Sequence, residues 1–231
     1  MPTNPIQAVF FDLGGTLLHP VNVGRVYAET AARFGCTLDE ETLAGRFRAA
    51  FRAQERLDAA RGWVTSEARE RERWQSIVRD TLGDIRDFDA CFAELYDFYA
   101  RPSGWTLDPE APELLRVLHQ RGVRLGVASN YDHRLYGLVR GIPELAPLSL
   151  FVVSADVGFR KPAAPFFAAM WHAAQAPAES ILMVGDDLES DYQGARAAGM
   201  QAVLLDPRGR HVDGTMNRIT SLNELRKLSS V

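Results

Sequence analysis

Residues 8–18 read Ala-Val-Phe-Phe-Asp-Leu-Gly-Gly-Thr-Leu-Leu, an apolar run that ends at Asp12 and is followed within two residues by a pair of glycines. A short apolar run bounded by turn residues is typical of a buried strand in a parallel sheet. Glycine tolerates the positive φ angles of a tight turn, so the pattern predicts a strand that runs directly into a turn. The turn would hold Asp12 at the carboxyl end of its strand, where open α/β sheets bind their ligands. Aspartate also closes strands and caps helices, so this stretch alone leaves the role of Asp12 open.

The composition is that of an ordinary globular protein. With 231 residues, 46% hydrophobic and 24% charged, the chain can bury a core as one domain with a large insertion or as two unequal domains. The net charge of −4 argues against a general electrostatic attraction to nucleic acid or acidic membranes, but it permits a local basic pocket. No apolar run approaches the ~18 residues of a membrane span and no targeting segment is recognised, so we expect a cytoplasmic protein.

Two rare residue types carry some information. The cysteines, Cys36 and Cys91, lack Cys-x-x-Cys spacing, and we expect them to be reduced packing residues. Of the 26 basic residues only Lys161 and Lys227 are lysines. A lysine retained against this bias is a candidate for a specific role.

The segment 19–104 changes from a strand-like to a helical pattern. Helices are predicted over 23–34 with Asn22 as the cap, from a cap at Thr37 to Gly62, from a cap at Thr65 to Leu82, and over 87–101. The charge run 69–73 is interpreted as the solvated face of the third helix. The stripe of Phe88, Phe92, Leu95 and Tyr99 on the fourth helix is typical of core packing.

After residue 104, strand and helix patterns alternate. Strands are predicted over 123–129, 150–153, 181–184 and 201–205, and helices over 112–121, 131–139, 165–176, 191–198 and 221–228. Such alternation indicates βαβ units around a parallel sheet. We therefore predict an α/β fold with a Rossmann-like parallel sheet core formed by residues 1–18 and 105–231, and a helical cap domain inserted over residues 19–104.

Polar groups of different kinds follow four of these elements. They are Asp12 with Thr16, Ser129 with Asn130, the loop that carries Lys161, and Asp186 with Asp187 and Asp191. Since the carboxyl ends of parallel strands meet at one edge of the sheet, these groups are expected to lie together. Together they supply what phosphoryl transfer needs.

The carboxylates have the first two tasks. Asp12 can attack phosphorus as a nucleophile and form an acyl phosphate that water hydrolyses. A magnesium ion prefers carboxylate and carbonyl oxygens, so the predicted ligands are the side chains of Asp12 and Asp186 and the carbonyl of Gly14.

The remaining polar groups are predicted to bind the phosphate or to support the residues that do so. Ser129 and the turn at Asn130 are predicted to hold phosphate oxygens, and Lys161 to neutralise charge on the nucleophile and the phosphate. Thr16 is assigned to substrate binding or to positioning Asp12. Asp187 and Asp191 are assigned supporting roles, with Asp191 as an N-cap that also orients Lys161 or a metal-bound water.

These motifs resemble those of the haloacid dehalogenase-like hydrolase superfamily. The matching stretches are Asp12-Leu-Gly-Gly-Thr16, Ser129-Asn130, Lys161-Pro162 and Gly185-Asp-Asp-Leu-Glu-Ser-Asp191, in that order along the chain. Residues 128–135 and 185–200 are most similar to the subfamily called haloacid dehalogenase-like hydrolase domain-containing protein 3. The resemblance implies the predicted fold, a helical cap, a magnesium ion and an aspartyl-phosphate intermediate.

One position departs from the superfamily's phosphatases. They usually read Asp-x-Asp-Gly-Thr, with the second aspartate as general acid and then base, and this chain has Gly14 there. A positioned acid contributes roughly 10²–10⁴ in rate. We therefore expect a slow phosphatase, or one restricted to good leaving groups such as aryl or acyl phosphates, acting on a small phosphorylated molecule.

Other functions compete with this one. Dehalogenases of the superfamily carry tyrosine at the position of Gly14 and lack the Gly-Asp-Asp cluster that stands here, and phosphonatases need a cap lysine that this chain lacks. A binding or regulatory protein that keeps the phosphate pocket without turnover is the main alternative. Asp187 or His19 could replace the missing acid if a loop brought His19 to the leaving group. The oligomeric state stays open.

Overall fold

Eight strands form the sheets of the part of the chain that the structure describes. The structure is a computed structural model that describes residues 5–211 and 214–227. The strands are β1 (Ala8–Phe11), β2 (Leu18–Pro20), β3 (Trp105–Leu107), β4 (Arg124–Ser129), β5 (Leu150–Val153), β6 (Ile181–Gly185), β7 (Gln201–Leu205) and β8 (Arg218–Ile219). Six of them form a parallel sheet in the order β5-β4-β1-β6-β7-β8, and β2 and β3 form a separate antiparallel pair.

Helices connect the strands. They are α1 (Val23–Ala32), α2 (Glu40–Ala60), α3 (Glu67–Leu82), α4 (Phe88–Phe98), α5 (Ala111–Gln120), α6 (Arg134–Arg140), α7 (Ser154–Val157), α8 (Ala164–Ala174) and α9 (Gly194–Ala197). A π-helix over Leu188–Gln193 precedes α9, and a 3₁₀ helix covers Leu222–Lys227. None of the described helices is both long and apolar enough to cross a membrane.

Strand β1 lies at the centre of the parallel sheet and is fully buried. Val9 and Phe11 pack into the apolar cluster on one face, and Ala8 and Phe10 into the cluster on the other. This alternation is the two-residue period of a strand, and full burial of a phenylalanine contributes about 1.5–3 kcal/mol. Because both faces are covered by apolar side chains, the strand reads as a continuous apolar run.

Helices α1 to α4 form the helical insertion of the fold, between β2 and β3. They have their own apolar cluster, which includes Val26, Leu43, Val78 and Leu95. Where the insertion leaves and rejoins the chain, Leu18 of β2 pairs with Leu107 of β3. The predicted fold class is confirmed. The domain limits at 18/19 and 104/105 stay a prediction, and the predicted core residues 1–4, 212–213 and 228–231 lie outside the described residues.

Several predicted boundaries were wrong. The cap of α2 is Asp39 rather than Thr37, and the cap of α3 is Ser66 rather than Thr65, because these side chains accept hydrogen bonds from Thr42 N and Arg69 N. Asn22 caps α1 as predicted. The predicted closing helix is a 3₁₀ helix, and the loop after β5 contains α7. The short strands β2, β3 and β8 were not predicted, since two or three residues show no periodicity.

Candidate active site

Three neighbouring strands bring the predicted residues to one edge of the sheet. Phe11 of β1 lies opposite Val127 of β4 and Val184 of β6, so the residues that follow in each strand emerge side by side. The Asp12 N–H donates to the Val184 carbonyl at 2.8 Å, which ties the predicted nucleophile to the neighbouring strand. Ser129 ends β4, and Asp186 directly follows β6.

Lys161 joins the carboxylates. Its side chain is buried, and Nζ donates to Asp12 Oδ1 at 2.8 Å, Asp191 Oδ1 at 2.6 Å and the Ala128 carbonyl at 2.7 Å. All three ammonium hydrogens therefore have acceptors. Burial alone would lower the pKa of Lys161, but the charges of Asp12 and Asp191 outweigh burial and raise it. Lys161 is held as a cation between two acids.

Asn130 positions the main chain of that lysine. Its Oδ1 accepts from the Lys161 N–H at 2.7 Å, and its Nδ2 donates to the Lys161 carbonyl at 3.0 Å. Both ends of the amide are therefore engaged, so Asn130 acts on the site through Lys161. Its predicted contact with substrate is not tested by these bonds.

Three carboxylates converge at the base of the site. Oxygens of Asp12, Asp186 and Asp191 lie within 4.8 Å of one another. Burial, and then the negative charges of Asp12, Asp191 and Asp187, raise the pKa of Asp186 to about 7. Burial also raises the pKa of Asp191, against the opposing effect of Lys161. Three acids facing one ammonium leave excess negative charge, and such an all-oxygen donor set fits a magnesium ion.

Two glycines permit this convergence. A Cβ on Gly15, whose φ is +102°, would lie 2.6 Å from Asp186 Oδ2, and a Cβ on Gly185 would lie 2.1 Å from Asp191 Oδ2. No other residue fits at either position without displacing an acid.

The roles of the two supporting aspartates differ from the prediction. Asp187, rather than Asp191, caps the helix of this motif, because Asp187 Oδ1 accepts from Ser190 N at 2.7 Å. Asp191 lies inside the π-helix, where its Oδ2 accepts from Asp187 N at 3.1 Å and its Oδ1 binds Lys161. The N-cap prediction for Asp191 was wrong, and its contact with Lys161 was expected.

Gly14 faces an aromatic ring. A Cβ at this position would meet only the Trp105 ring, at 3.8 and 4.0 Å, which are ordinary contact distances. Trp105 is fixed by a 3.0 Å hydrogen bond from its Nε1 to the Tyr99 carbonyl. An indole edge therefore lies where related phosphatases are expected to place an acid.

A cavity of about 370 Å³ lies over these residues. The core contributes Asp12, Ser129, Asn130, Lys161 and Asp186 to its lining. The insertion contributes mostly aromatic and apolar side chains, namely Tyr27, Phe47, Phe51, Trp74, Val78, Phe92, Leu95, Tyr96 and Tyr99. Part of the stripe interpreted as core therefore faces a cavity of the size typical of small-molecule sites.

Two predicted residues do not line this cavity. Thr16 is fully buried, and its hydroxyl has no hydrogen-bond partner among the described residues. His19 lies on β2, and its Nε2 is 3.3 Å from Asp108 Oδ2. Neither is placed to contact a ligand held in the cavity.

The charge run of α3 is only partly a solvated face: Arg71 and Glu72 are exposed as predicted, but the interpretation was wrong for two other members of the run. Glu70 and Arg73 are each 1% exposed. Their side chains lie three residues apart on the face that also carries the buried Ile77, and both have charged partners. Arg73 Nε donates to Asp58 Oδ2 at 2.7 Å, and Arg160 donates to Glu70 Oε1. The i, i+3, i+7 spacing of Glu70, Arg73 and Ile77 places the three residues on one helix face, and this pattern could have predicted their burial.

Comparison with known proteins identifies a family and several relatives that resemble this chain. Residues 6–199 match the family described as "Hydrolase: haloacid dehalogenase-like hydrolase". Relatives named haloacid dehalogenase-like hydrolase domain-containing protein 3 are 29% identical in Danio rerio, over 96% of this chain and 95% of the relative, and 31% identical in Homo sapiens, over 87% and 82%. A ribulose-1,5-bisphosphate 5-phosphatase from Halopiger xanaduensis is 34% identical over 87% of this chain and 84% of that protein.

Solved structures share the fold. The HAD-hydrolase YfnB from Bacillus subtilis, in a structure bound to magnesium, superposes with a TM-score of 0.80 at 20% identity, covering 99% of this chain and 100% of that one. An L-2-haloacid dehalogenase from Xanthobacter autotrophicus gives 0.75 at 18% identity, covering 96% and 98%. Such low identities show the fold alone. The match over residues 6–199 establishes that this chain belongs to the haloacid dehalogenase-like hydrolase family.

Proposed function

We propose that this protein is a magnesium-dependent phosphatase that cleaves a small phosphate monoester through a covalent phosphoryl group on Asp12. The carrying observation is the position of Lys161, which binds Asp12 Oδ1 and Asp191 Oδ1 beside Asp186. A buried cation that holds one oxygen of a carboxylate leaves the other oxygen directed for attack and offsets the charge of an incoming phosphate.

The reaction balances with this chain's residues. Asp12 Oδ2 attacks phosphorus, the bond from phosphorus to the ester oxygen breaks, and the leaving group departs with the electron pair. Water then cleaves the acyl phosphate, which regenerates the Asp12 carboxylate and releases inorganic phosphate. One proton of that water ends on the departed oxyanion. Lys161 begins the reaction as a cation, since the charges of Asp12 and Asp191 raise its pKa.

The metal requirement rests on the acidic cluster. Asp12 and Asp186, with the carbonyl of Gly14, would hold the ion, and when bound it supplies positive charge against the carboxylates and phosphate oxygens. Without such a positive charge, the ionised form of Asp186 is disfavoured, because burial and its acidic neighbours raise its pKa to about 7.

The substrate range follows from Gly14 and Trp105. The carbon edge of the indole that lies beside Gly14 has no acidic proton to donate, and the Nε1–H of Trp105 donates to the Tyr99 carbonyl. A leaving group must therefore depart as an oxyanion or take its proton from water. Aryl and acyl phosphates meet this condition best, and the aromatic side chains of the cavity suit an aryl group.

The helical insertion is proposed to act as the cap that selects the substrate. The core contributes the charged groups of the cavity floor, and the insertion contributes most of its apolar lining. Closing such a cavity excludes water and strengthens the electrostatic contacts inside it.

The relatives favour phosphoryl transfer over dehalogenation. The Halopiger protein at 34% identity is named a phosphatase, whereas the dehalogenase structures are related by fold alone. A binding protein without turnover is the alternative, and the lack of an acid at Gly14 is the observation that favours it.

Hydrolysis of 4-nitrophenyl phosphate tests the proposal. We expect turnover in wild type that requires magnesium, is lost in Asp12→Asn, and is unchanged in Asp80→Asn, an exposed aspartate of α3 away from the cavity. Acid-quenched wild type should carry one added phosphoryl group by intact mass spectrometry, and Asp12→Asn should not. Absence of turnover together with magnesium-dependent binding of phenylphosphonate would establish the binding protein instead.

A further inference from the structure

A pair of buried arginines lines the same cavity as Asp12. Arg73 comes from α3 of the insertion, and Arg160 directly precedes Lys161 in the core. Their exposed fractions are 1% and 4%. Fully buried arginines are rare unless their charge has a use or a complete set of partners.

The partners of this pair are incomplete. Among the described residues, Arg73 donates one side-chain hydrogen bond, from Nε to Asp58 Oδ2, and its Nη2 is buried without an acceptor. Arg160 donates from Nη1 to Glu70, while its Nε lies 3.8 Å from Asp58 Oδ2 and has no hydrogen bond. An unsatisfied buried donor is costly, and native structures contain few.

The acids around the pair balance its charge without satisfying its donors. Asp58 is shared by Arg69, Arg73 and Arg160, and with Glu70 and the half-buried Glu55 three acids face three guanidinium groups, yet Arg73 Nη2 and Arg160 Nε have no acceptor among the described residues. Burial, and then the nearby positive charge of Arg160, lower the pKa of Arg73. Two buried cations close enough to repel each other are stabilised by an oxyanion that accepts from both.

Glu55 is the third acid near the pair. It is half-buried and lines the cavity, and burial raises its pKa although Arg73 and Arg160 oppose this shift. Arg73 and Arg160 line the same cavity of about 370 Å³ as Asp12 and Lys161. One small ligand in that cavity can therefore lie between the arginine pair and the catalytic motif.

We propose that Arg73 and Arg160 form a subsite for a second anionic group, a carboxylate or a second phosphate, on the leaving group of the substrate. The inference rests on the proposed function, because it assigns the other end of the ligand to Asp12 and Lys161. The substrate class is then a phosphate monoester whose alcohol portion is itself an anion. Arginine suits this role, since its planar donors match carboxylate and phosphate oxygens.

A purely structural role makes a different prediction. Arg160 links the core to Glu70 and Asp58 of the insertion, so loss of Arg160 affects that contact in any case. Arg73 binds Asp58 within the insertion and Arg69 remains as a partner for that acid. A structural Arg73 would change stability and leave the preference between ligands unaltered.

The test compares non-hydrolysable ligands in the magnesium-loaded protein. The probes are phenylphosphonate, the three isomers of carboxyphenylphosphonate and the three phenylene bisphosphonates. Their dissociation constants are measured by calorimetry for five proteins, namely wild type, Arg73→Gln, Arg73→Lys, Arg160→Gln and Arg48→Gln. Arg48 is an exposed arginine of α2 that does not line the cavity, so its variant controls for loss of one charge. The carboxylate and bisphosphonate series distinguish the two sources of the anion.

We expect at least one dianionic isomer to bind wild type about 10- to 100-fold more tightly than phenylphosphonate, as one or two charge-assisted hydrogen bonds allow. The preference should fall below threefold in Arg73→Gln, be partly restored in Arg73→Lys and persist in Arg48→Gln. Equal binding of all probes to wild type, or a preference that survives in Arg73→Gln, would overturn the subsite. Turnover of 4-nitrophenyl phosphate without the preference removes the subsite alone, and the preference without turnover removes the phosphatase alone.

Discussion

Replacing Gly14 by aspartate should restore the missing proton donor. Gly14 does not have a positive φ, and among the described residues a Cβ there would meet the Trp105 ring at 3.8 and 4.0 Å, so neither the backbone nor the space around a Cβ opposes the substitution. A carboxyl group against an indole is partly desolvated, and desolvation raises a carboxyl pKa toward the range of a useful acid. The new group would lie on the leaving-group side of Asp12.

The expected gain depends on the substrate. A positioned general acid contributes about 10²–10⁴ in rate, which corresponds to about 3–5 kcal/mol of barrier. We therefore expect kcat/KM for propyl phosphate to rise at least about 10²-fold in Gly14→Asp, because an alkoxide needs a proton to depart. The value for 4-nitrophenyl phosphate should change by less than a few-fold. The alkyl reaction should also gain a descending limb at high pH, where the new acid ionises.

Steady-state kinetics of two matched variants complete this test. Gly14→Asn has the same shape without an ionisable proton and should show no gain on either ester. Gly15→Asp should lose activity altogether, since a Cβ there would lie 2.6 Å from Asp186 Oδ2 at a φ of +102°. An equal rise for alkyl and aryl esters, or an equal rise in Gly14→Asn, would refute the explanation that this site lacks only an acid.

Three further predictions concern the charged cluster. Lys161→Met should lower the free energy of urea unfolding by about 3–5 kcal/mol, because it leaves two buried acids unpaired. Adding Asp191→Asn should recover part of the loss. An unchanged free energy of unfolding would contradict the pairing. Asn130→Ala should lower kcat by about 10- to 100-fold with little change in the affinity for phenylphosphonate, because Asn130 acts through the Lys161 main chain. An effect confined to affinity would show that Asn130 binds the substrate instead. In EDTA, ionisation of Asp186 should lower the free energy of unfolding by roughly 4 kcal/mol as pH rises from about 4 to 7, since Asp186 keeps its proton in the folded protein up to a pKa of about 7 but loses it near 3.8 when unfolded. Urea titrations of Asp186→Asn should show a clearly smaller fall, to which Asp191, whose pKa burial also raises, still contributes; a fall as large as in wild type would contradict the assignment to Asp186.

The sequence predicted the part of the fold that depends on local pattern. The apolar run of β1, the strand ends and the order of helices follow from periodicity, and the polar residue that ends each strand could be placed because parallel strands share one edge. Asp12, Lys161 and Asp186 were brought together as expected.

The rest depended on partners far apart in the chain. Glu70 was interpreted as solvated because Arg160, which neutralises it, is 90 residues away. The bonds of Asn130 to the main chain of Lys161 were not predicted, because the two residues are 31 apart in the chain, and its contact with substrate stays a prediction. Trp105 gave no signal at all, since its effect is to occupy the space beside a glycine of another element. Burial of a charge is a property of its partners, and spacing along one helix reveals only the face on which it lies.

The absence of an acid at Gly14 and the buried arginine pair bear on the same step, the departure of the leaving group. Without a proton donor at Gly14, the proposed phosphatase would favour departure of the leaving group by orienting the ester against Asp12 and Lys161. Binding energy from a remote anion can be used for this purpose, because a ligand held at both ends has fewer unproductive orientations. Arg73 is buried in the insertion and Arg160 beside Lys161, so a leaving group bound by the pair would be held rigidly with respect to Asp12. A site built in this way loses rate, and not affinity alone, when the remote anion is removed from the substrate.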